Sequence, residues 1–139
     1  MSSFKVFDIA GSGLSAQSVR LNTVASNLAN ADSVSGDPAT VYRARHPVFE
    51  AVRAQLGAQP QDGNAAVRVK GIVESTAEPT ARYEPGNPLA NEEGYVYAPN
   101  VNVIEELVDM ISASRAYQNN VEVMNTSKEL MLATLKLGQ

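Results

Sequence analysis

Apolar residues recur every seven positions near the start of the chain. One set of positions is apolar throughout: Phe7, Leu14, Leu21 and Leu28. A second set lies three residues after each: Ala10, Gln17, Val24 and Ala31. This spacing is typical of an amphipathic helix that packs along a seam. Gly11 and Gly13 each cost about 1 kcal/mol relative to alanine inside a helix, so the pattern predicts a helix from Ser12 to Asn30.

A longer periodic stripe runs through the last forty residues. One set, spaced by seven, is Val103, Met110, Tyr117, Met124 and Met131. A second set, four residues after each, is Leu107, Ser114, Val121, Lys128 and Leu135. Asn102 is placed to cap the N-terminus of the helix. Glu105 and Glu106 are neighbours in the sequence, and they are interpreted as solvated residues or as residues that pair with the helix dipole. At 1.5 Å per residue, a helix of about 36 residues would be about 54 Å long. A domain of this size cannot easily bury an apolar stripe of that length by itself.

The middle of the chain has the texture of short strands and turns. Residues 32–100 contain all seven prolines, so helix breakers concentrate there. Val67 and Val69 alternate with charged residues and predict a strand, with a bulge or kink at Gly71. Two more strands are predicted, one at Tyr83 and one at residues 95–97, with a turn at residues 85–88 between them. Residues 48–52 fit either a strand or a helix, and 57–64 predict a polar loop.

Composition and charge exclude several classes of function. The chain has 139 residues, no cysteine, one histidine and a net charge of −4. It therefore lacks a thiolate nucleophile, a Cys-ligated zinc site and the basic surface that nucleic-acid binding needs. No apolar run approaches the roughly 20 residues that span a bilayer, and the N-terminus does not resemble a Sec-type signal. We expect no metal and no cofactor.

Candidate catalytic groups are isolated. His46 would need an orienting carboxylate and a nucleophile, which no motif supplies, so a surface histidine beside Arg43 and Arg45 is favoured. Residues 11–13 lack the preceding strand and lysine of a phosphate loop. An enzyme in the middle segment is therefore the least favoured hypothesis.

Two features of the helices leave alternatives open. The methionines at 110, 124 and 131 fit either an ordinary core or a surface for partner helices, and the length of the stripe favours partners. Five asparagines are either solvent-facing or make hydrogen bonds between helices that fix register: Asn22, Asn27, Asn30, Asn119 and Asn120. The sequence does not decide between these two roles.

Both ends of the chain resemble a known family. Residues 12–32, SGLSAQSVRLNTVASNLANAD, are similar to the N-terminal motif of the flagellar rod and hook proteins. Residues 42–49 and the stretch from Gly94 to Asn125 are similar to one proximal-rod member of that family. Ser33 stands where the family motif commonly has threonine, and it retains the hydroxyl.

The resemblance implies an α+β fold and a structural role. The expected architecture is two long terminal helices packed as an antiparallel coiled coil, with a small β-rich domain inserted between them. The expected parts are an N-terminal helix (1–31), a middle domain facing outward (32–98) and a C-terminal helix (99–139). Such a subunit would assemble into the proximal rod of the flagellar basal body, the hollow shaft that crosses the periplasm and transmits torque.

The resemblance also implies partners and an export route. Neighbours would be other copies, the rod proteins FlgB, FlgF and FlgG, and FliE, with export through the flagellar type III apparatus without a cleaved signal peptide. The positions expected to contact neighbouring subunits are Leu14, Leu21, Asn27, Leu28, Asn30, Val103, Leu107, Met110, Tyr117, Val121, Met124, Met131 and Leu135. A helical adaptor or export chaperone that builds no tube is the main alternative.

Overall fold

The computed structural model describes residues 3–53 and 65–138, and within them a helix, four strands and a second helix follow in order. The elements are α1 (Ser3–Asn30), β1 (Arg45–Arg53), β2 (Ala65–Glu74), β3 (Thr80–Tyr83), β4 (Tyr95–Ala98) and α2 (Val103–Leu137). The expected α+β class, with helices at both ends and strands between them, is confirmed. The predicted polar loop at 57–64 lies outside the described residues.

The first helix is longer than its sequence pattern predicts. α1 begins at Ser3 rather than Ser12 and continues through both glycines. Contacts with the rest of the chain outweigh the low helix propensity of glycine, since Ala10 is buried. The end at Asn30 is as predicted. There the Asn30 carbonyl accepts from the backbone N and the Oγ of Ser33, at 3.1 and 2.7 Å, so the hydroxyl of Ser33 helps to close the helix.

The second helix agrees with the predicted span. Asn102 is the N-cap, and its Oδ1 accepts from the backbone N of Ile104 at 3.1 Å and of Glu105 at 3.4 Å. These bonds satisfy two of the amides that have no partner within the helix. Lys136 lies in the last turn, the end at which the helix dipole favours a cation.

β1 and β2 form a two-stranded antiparallel hairpin, so residues 48–52 are strand rather than helix. The register shifts where Val48 lies opposite Gly71 and Phe49 opposite Val69, which leaves Lys70 as the extra residue. The predicted bulge beside Gly71 is confirmed.

β3 and β4 form a second two-stranded antiparallel sheet. Their connection begins with a turn in which Asn87 N donates to the Glu84 carbonyl at 3.0 Å, as predicted for residues 85–88. It ends at Gly94, whose φ of 83° favours glycine and whose added Cβ would lie 2.9 Å from the ring of Tyr83.

The buried apolar side chains are small. Those described are Ala10, Ala16, Val24, Ala31, Val41, Ala44, Val96, Ala98, Pro99 and Ala113. Of the side chains for which burial is described, no leucine, isoleucine, methionine or aromatic residue is buried. Large apolar side chains usually dominate a core, so this chain folds on itself without covering its largest apolar groups.

Candidate subunit interface

The two helices lie side by side and antiparallel. Three contacts define their seam, in order along α1: Gly13 with Asn120, Arg20 with Asp109, and Asn27 with Glu106. The positions on α2 fall in number as those on α1 rise, which fixes the opposite directions. The knobs-into-holes supercoil of a coiled coil stays a prediction.

Small and polar residues form this seam. On α1 they lie seven apart, at Gly13, Arg20 and Asn27. On α2, Glu106 and Asn120 lie against Asn27 and Gly13, and Ala113, seven residues from each, is wholly buried. The predicted leucines at 14, 21 and 28 lie one position further along α1 and are half-buried. Large apolar groups therefore flank the seam rather than fill it.

Asn27 joins three parts of the chain through one buried amide. Its Nδ2 donates to the backbone O of Arg45 at 2.9 Å and to Oε1 of Glu106 at 3.0 Å. Its Oδ1 accepts from the hydroxyl of Tyr42 at 2.8 Å and from the backbone N of Arg45 at 2.9 Å. The amide thus makes all four hydrogen bonds that its geometry allows. Asn27 is 0 % exposed and in this structure presents no surface to a neighbouring subunit.

Glu106 is the second buried member of this network, so of its two interpretations the solvated one is wrong. It lies in the first turn of α2, as the dipole-pairing interpretation expects. The residue is 6 % exposed, and only its Oε1 is hydrogen-bonded. Its Oε2 is buried without a hydrogen-bond partner. Arg20 and Arg45 form ion pairs with other carboxylates, Arg20 with Asp109 at 2.8 Å and Arg45 with Glu74 at 3.1 Å. A buried carboxylate oxygen without a hydrogen-bond partner carries a desolvation cost.

Gly13 allows the helices to approach closely at the other end of the seam. A Cβ at this position would lie 2.8 Å from Nδ2 of Asn120, closer than side chains normally pack. A Cβ at Gly11 would meet nothing within 4 Å. Of the two glycines, only Gly13 is in close contact with α2, and a larger residue there would displace the side chain of Asn120.

The first turns of α2 carry large apolar side chains on the side turned away from α1. We call Ile104, Leu107, Val108 and Ile111 the N-terminal face; all four are exposed, Ile104 by 74 %. At about 100° per residue, they lie roughly opposite the seam residues Glu106 and Ala113. Neighbouring apolar side chains that find no cover in their own chain indicate a binding surface.

The last two turns of α2 extend beyond the start of α1. Gly13 lies opposite Asn120, and α1 begins ten residues before Gly13, so the start of α1 lies opposite about residue 130. Residues 132–137 are all exposed. We call Lys128, Leu132, Leu135 and Lys136 the C-terminal face, because their spacing places them on one side of the helix.

The predicted interface residues divide into three groups by exposure. Val103, Leu107, Tyr117 and Leu135 are exposed. Those that are half-buried are Leu14, Leu21, Leu28, Asn30, Met110, Val121, Met124 and Met131. Asn27 alone is buried, and the amide of Asn30 is occupied by the backbone O of Ser26 at 2.8 Å. Contact of these residues with other subunits stays a prediction.

Hydrophobic periodicity identified part of the buried side of α1 and missed the rest. Ala10, Val24 and Ala31 of the second predicted set are buried. The contacts of the seam fall outside both predicted sets, on Gly13, Asn27 and Glu106. A signal for the seam was present in the spacing by seven of Glu106, Ala113 and Asn120. The two predicted sets of α2 also omit Ile104, Val108 and Ile111, which are exposed by 74, 61 and 56 %.

The remaining candidate chemistry lies on the surface. His46 is exposed on β1, opposite Val73 on β2. Within residues 3–53 and 65–138, no helix is both long and apolar enough to cross a membrane.

Family comparisons agree with this architecture. A family model described as "Flagella basal body rod protein" matches residues 7–36, which include most of α1. A second, described as "Flagellar basal body rod FlgEFG protein C-terminal", matches residues 92–137, which include α2. Both matches fall on the elements that form the seam, and both descriptions name one class of protein, the flagellar basal-body rod proteins.

Full-length relatives narrow the class. The chain is 55% identical to the flagellar basal-body rod protein FlgC of Yersinia enterocolitica and 53% identical to that of Salmonella typhimurium, over the whole of both chains. It is 38% identical to FlgC of Buchnera aphidicola from Acyrthosiphon pisum, again over both whole chains. The chain belongs to the FlgC family, whose members are structural subunits of the flagellar basal-body rod.

Proposed function

We propose that this chain builds the proximal rod through the exposed apolar surfaces of its terminal helices. The middle segment, residues 32–98, faces outward from the tube. Residues 1–31 and 99–139 form its inner layers and transmit torque along the hollow shaft. The subunit contacts include the predicted leucines of α1 and the stripe from Val103 to Leu135, together with Ile104, Val108 and Ile111.

One observation carries this proposal: the chain buries small side chains and exposes large ones. Asn27, Glu106 and Ala113 are enclosed in the seam, while Ile104, Leu107 and their neighbours on the outer side of α2 face solvent. An amphipathic helix of a self-sufficient domain would have the reverse arrangement. Assembly would bury these apolar groups against helices of neighbouring subunits, at roughly 25 cal/mol per Å² of apolar surface.

The proposed location and partners rest on family membership. We propose that the subunit lies in the periplasmic part of the basal body and leaves the cytoplasm through the flagellar type III export apparatus without a cleaved signal peptide. Its neighbours would be further copies, FlgB, FlgF, FlgG and FliE. A chain without cysteine suits passage into an oxidising compartment.

We propose a structural rather than a catalytic role. Four charged groups of the hairpin form cross-strand ion pairs, Arg45 with Glu74 and Arg68 with Glu50. Arg45, Arg68 and Glu74 are largely exposed, an environment in which such pairs contribute little more than solubility and register.

Substitution of the N-terminal face tests the proposal. Ile104→Asn with Val108→Asn should abolish swimming and rod assembly in cells that lack the native protein, since both changes place amides in the proposed contact. The matched control is Ile72→Asn on the hairpin, which is also exposed and should retain rods. Circular dichroism should show unchanged helix content in both proteins.

Two results would decide against a rod subunit. Normal rods from the double variant would show that this face makes no essential contact. Complete rods from cells producing a chain without residues 101–139 would favour the alternative of an adaptor or export chaperone.

A further inference from the structure

The two ends of α2 share exposed apolar surface but differ in charge. Residues 102–111 contain three acidic residues and no basic one, and of these Glu105 is exposed beside the N-terminal face. Residues 128–138 contain two lysines and one glutamate, and both lysines belong to the C-terminal face. Leu132 and Leu135 between them are exposed by 49 and 69 %. The two ends are therefore complementary in charge and alike in apolar character.

We propose that the C-terminal face of one copy docks on the N-terminal face of another copy. This inference rests on the proposed function and names the partner of that surface. Lys128 and Lys136 would lie near Glu105 of the second copy, with Leu132 and Leu135 against its Ile104 and Val108. Burial of the leucines provides the main stabilisation, and the charges select the register and direction.

The geometry requires two different copies for this contact. Val108 and Leu132 are 24 residues apart on one straight helix, or about 36 Å at 1.5 Å per residue, so no chain can bring its own two faces together. The two surfaces are also different from each other. A contact of this kind repeats from copy to copy rather than closing as a symmetric dimer.

The charges disfavour the symmetric alternative. If two copies met through their N-terminal faces, the Glu105 side chains would lie close together, and like charges at an interface are repulsive. The C-terminal faces would likewise bring their lysines, Lys128 and Lys136, together. Only the head-to-tail arrangement places each acidic end beside a basic one.

Disulfide trapping in assembled basal bodies tests the contact directly, because the native chain has no cysteine. The test variant carries Val108→Cys and Leu132→Cys, and the matched control carries Val108→Cys and Leu130→Cys. Leu130 is also exposed but lies on nearly the opposite side of α2 from Leu132. Mild oxidation should give at least about tenfold more covalent dimer and higher multimers from the test pair, since a disulfide requires Cα atoms within about 7 Å.

Charge exchange provides a second readout that does not depend on cysteine. Lys128→Glu with Lys136→Glu should reduce swimming, and addition of Glu105→Lys should restore most of it. Either substitution set alone gives a like-charge contact, whereas the combination restores opposite charges. Restoration by the combined variant is not expected from three independent surface effects.

The outcomes separate this proposal from the one on which it depends. Suppose that the test pair assembles into rods but gives no covalent multimers, or no more multimers than the control pair. This result would overturn the head-to-tail contact and leave the rod role intact. A different rod protein that covers the N-terminal face would give this result. If the cysteine variant fails to assemble, the charge exchange decides. The contact is overturned if adding Glu105→Lys does not restore swimming to the Lys128→Glu and Lys136→Glu variant. Intact rods from the Ile104 and Val108 double variant would instead contradict the proposed function itself.

Discussion

Asn27 on α1 donates a hydrogen bond of 3.0 Å to Glu106 on α2, and both side chains are buried. The same amide of Asn27 holds the backbone N and O of Arg45 at the start of β1. One side chain therefore fixes the helix register and the place at which the hairpin leaves the helices.

Asn27→Ala should be among the most destabilising single substitutions in the chain. It removes one side chain but leaves the backbone groups of Arg45 and the carboxylate of Glu106 without a partner. Unsatisfied buried polar groups cost about 1–3 kcal/mol each, so a loss of roughly 3 kcal/mol is expected. Urea unfolding followed by circular dichroism measures it. Asn22→Ala, at an exposed position on the same helix, is the control and should change stability by less than about 0.5 kcal/mol.

Glu106→Gln should stabilise the isolated chain. The amide oxygen can still accept from Asn27, while the buried charge at the unpartnered Oε2 is removed. We expect a gain of about 1 kcal/mol, because an uncompensated buried charge is more costly than a buried amide. Glu105→Gln is the matched control; being exposed near the helix N-terminus, it should lose a few tenths of a kcal/mol. A lower urea midpoint for Glu106→Gln would show that the carboxylate is stabilising.

Alanine at the two glycines of α1 should have different effects. Gly11→Ala should gain about 1 kcal/mol from helix propensity, since the added Cβ meets nothing within 4 Å. Gly13→Ala should gain less, because its Cβ must displace the amide of Asn120. Combining Gly13→Ala with Asn120→Ala should recover part of the difference. Equal thermal stabilities of the two single variants would mean that the seam is looser than described.

Hydrogen exchange should reveal which part of α2 depends on assembly. In a dilute monomer, amides of residues 132–137 should exchange faster than those of 106–120, because the end of α2 has no α1 beside it and its side chains are all exposed. In isolated basal bodies the same amides should become protected. Strong protection of 132–137 in the monomer would indicate that this end is already covered.

Local signals in the sequence were sufficient for most strands and for three of the four helix ends, the start of α1 at Ser3 being the exception. Asn102 and Ser33 act through side chains within a few residues of the backbone groups that they satisfy, so their roles could be recognised from sequence position. The strand at 48–52 could not be decided in this way. Its conformation depends on pairing with β2, whose residues lie far away in the sequence.

The helix seam could be predicted only in part. Asn27 was a candidate for a hydrogen bond between the helices, and it makes one with Glu106, but the usual assumption about apolar residues fails here. Periodicity analysis takes the largest apolar side chains to lie inside. In this chain Leu14 and Leu21 flank the seam, Ile104 points away from it, and Gly13 and Glu106 lie within it. In the proposed rod the sequence serves contacts with other chains as well as its own fold, which accounts for this difference. Interface assignments for the half-buried residues, such as Met124, stay predictions for the same reason.

The small size of the buried side chains bears on how the protein should behave as its concentration changes. With alanines and valines enclosed and the leucines of α2 left in water, much of the hydrophobic free energy is gained only when molecules meet. Folding and association then become one equilibrium, and the melting temperature should rise with protein concentration. A subunit of this kind remains easy to unfold while solitary and becomes resistant to unfolding once its neighbours are in place.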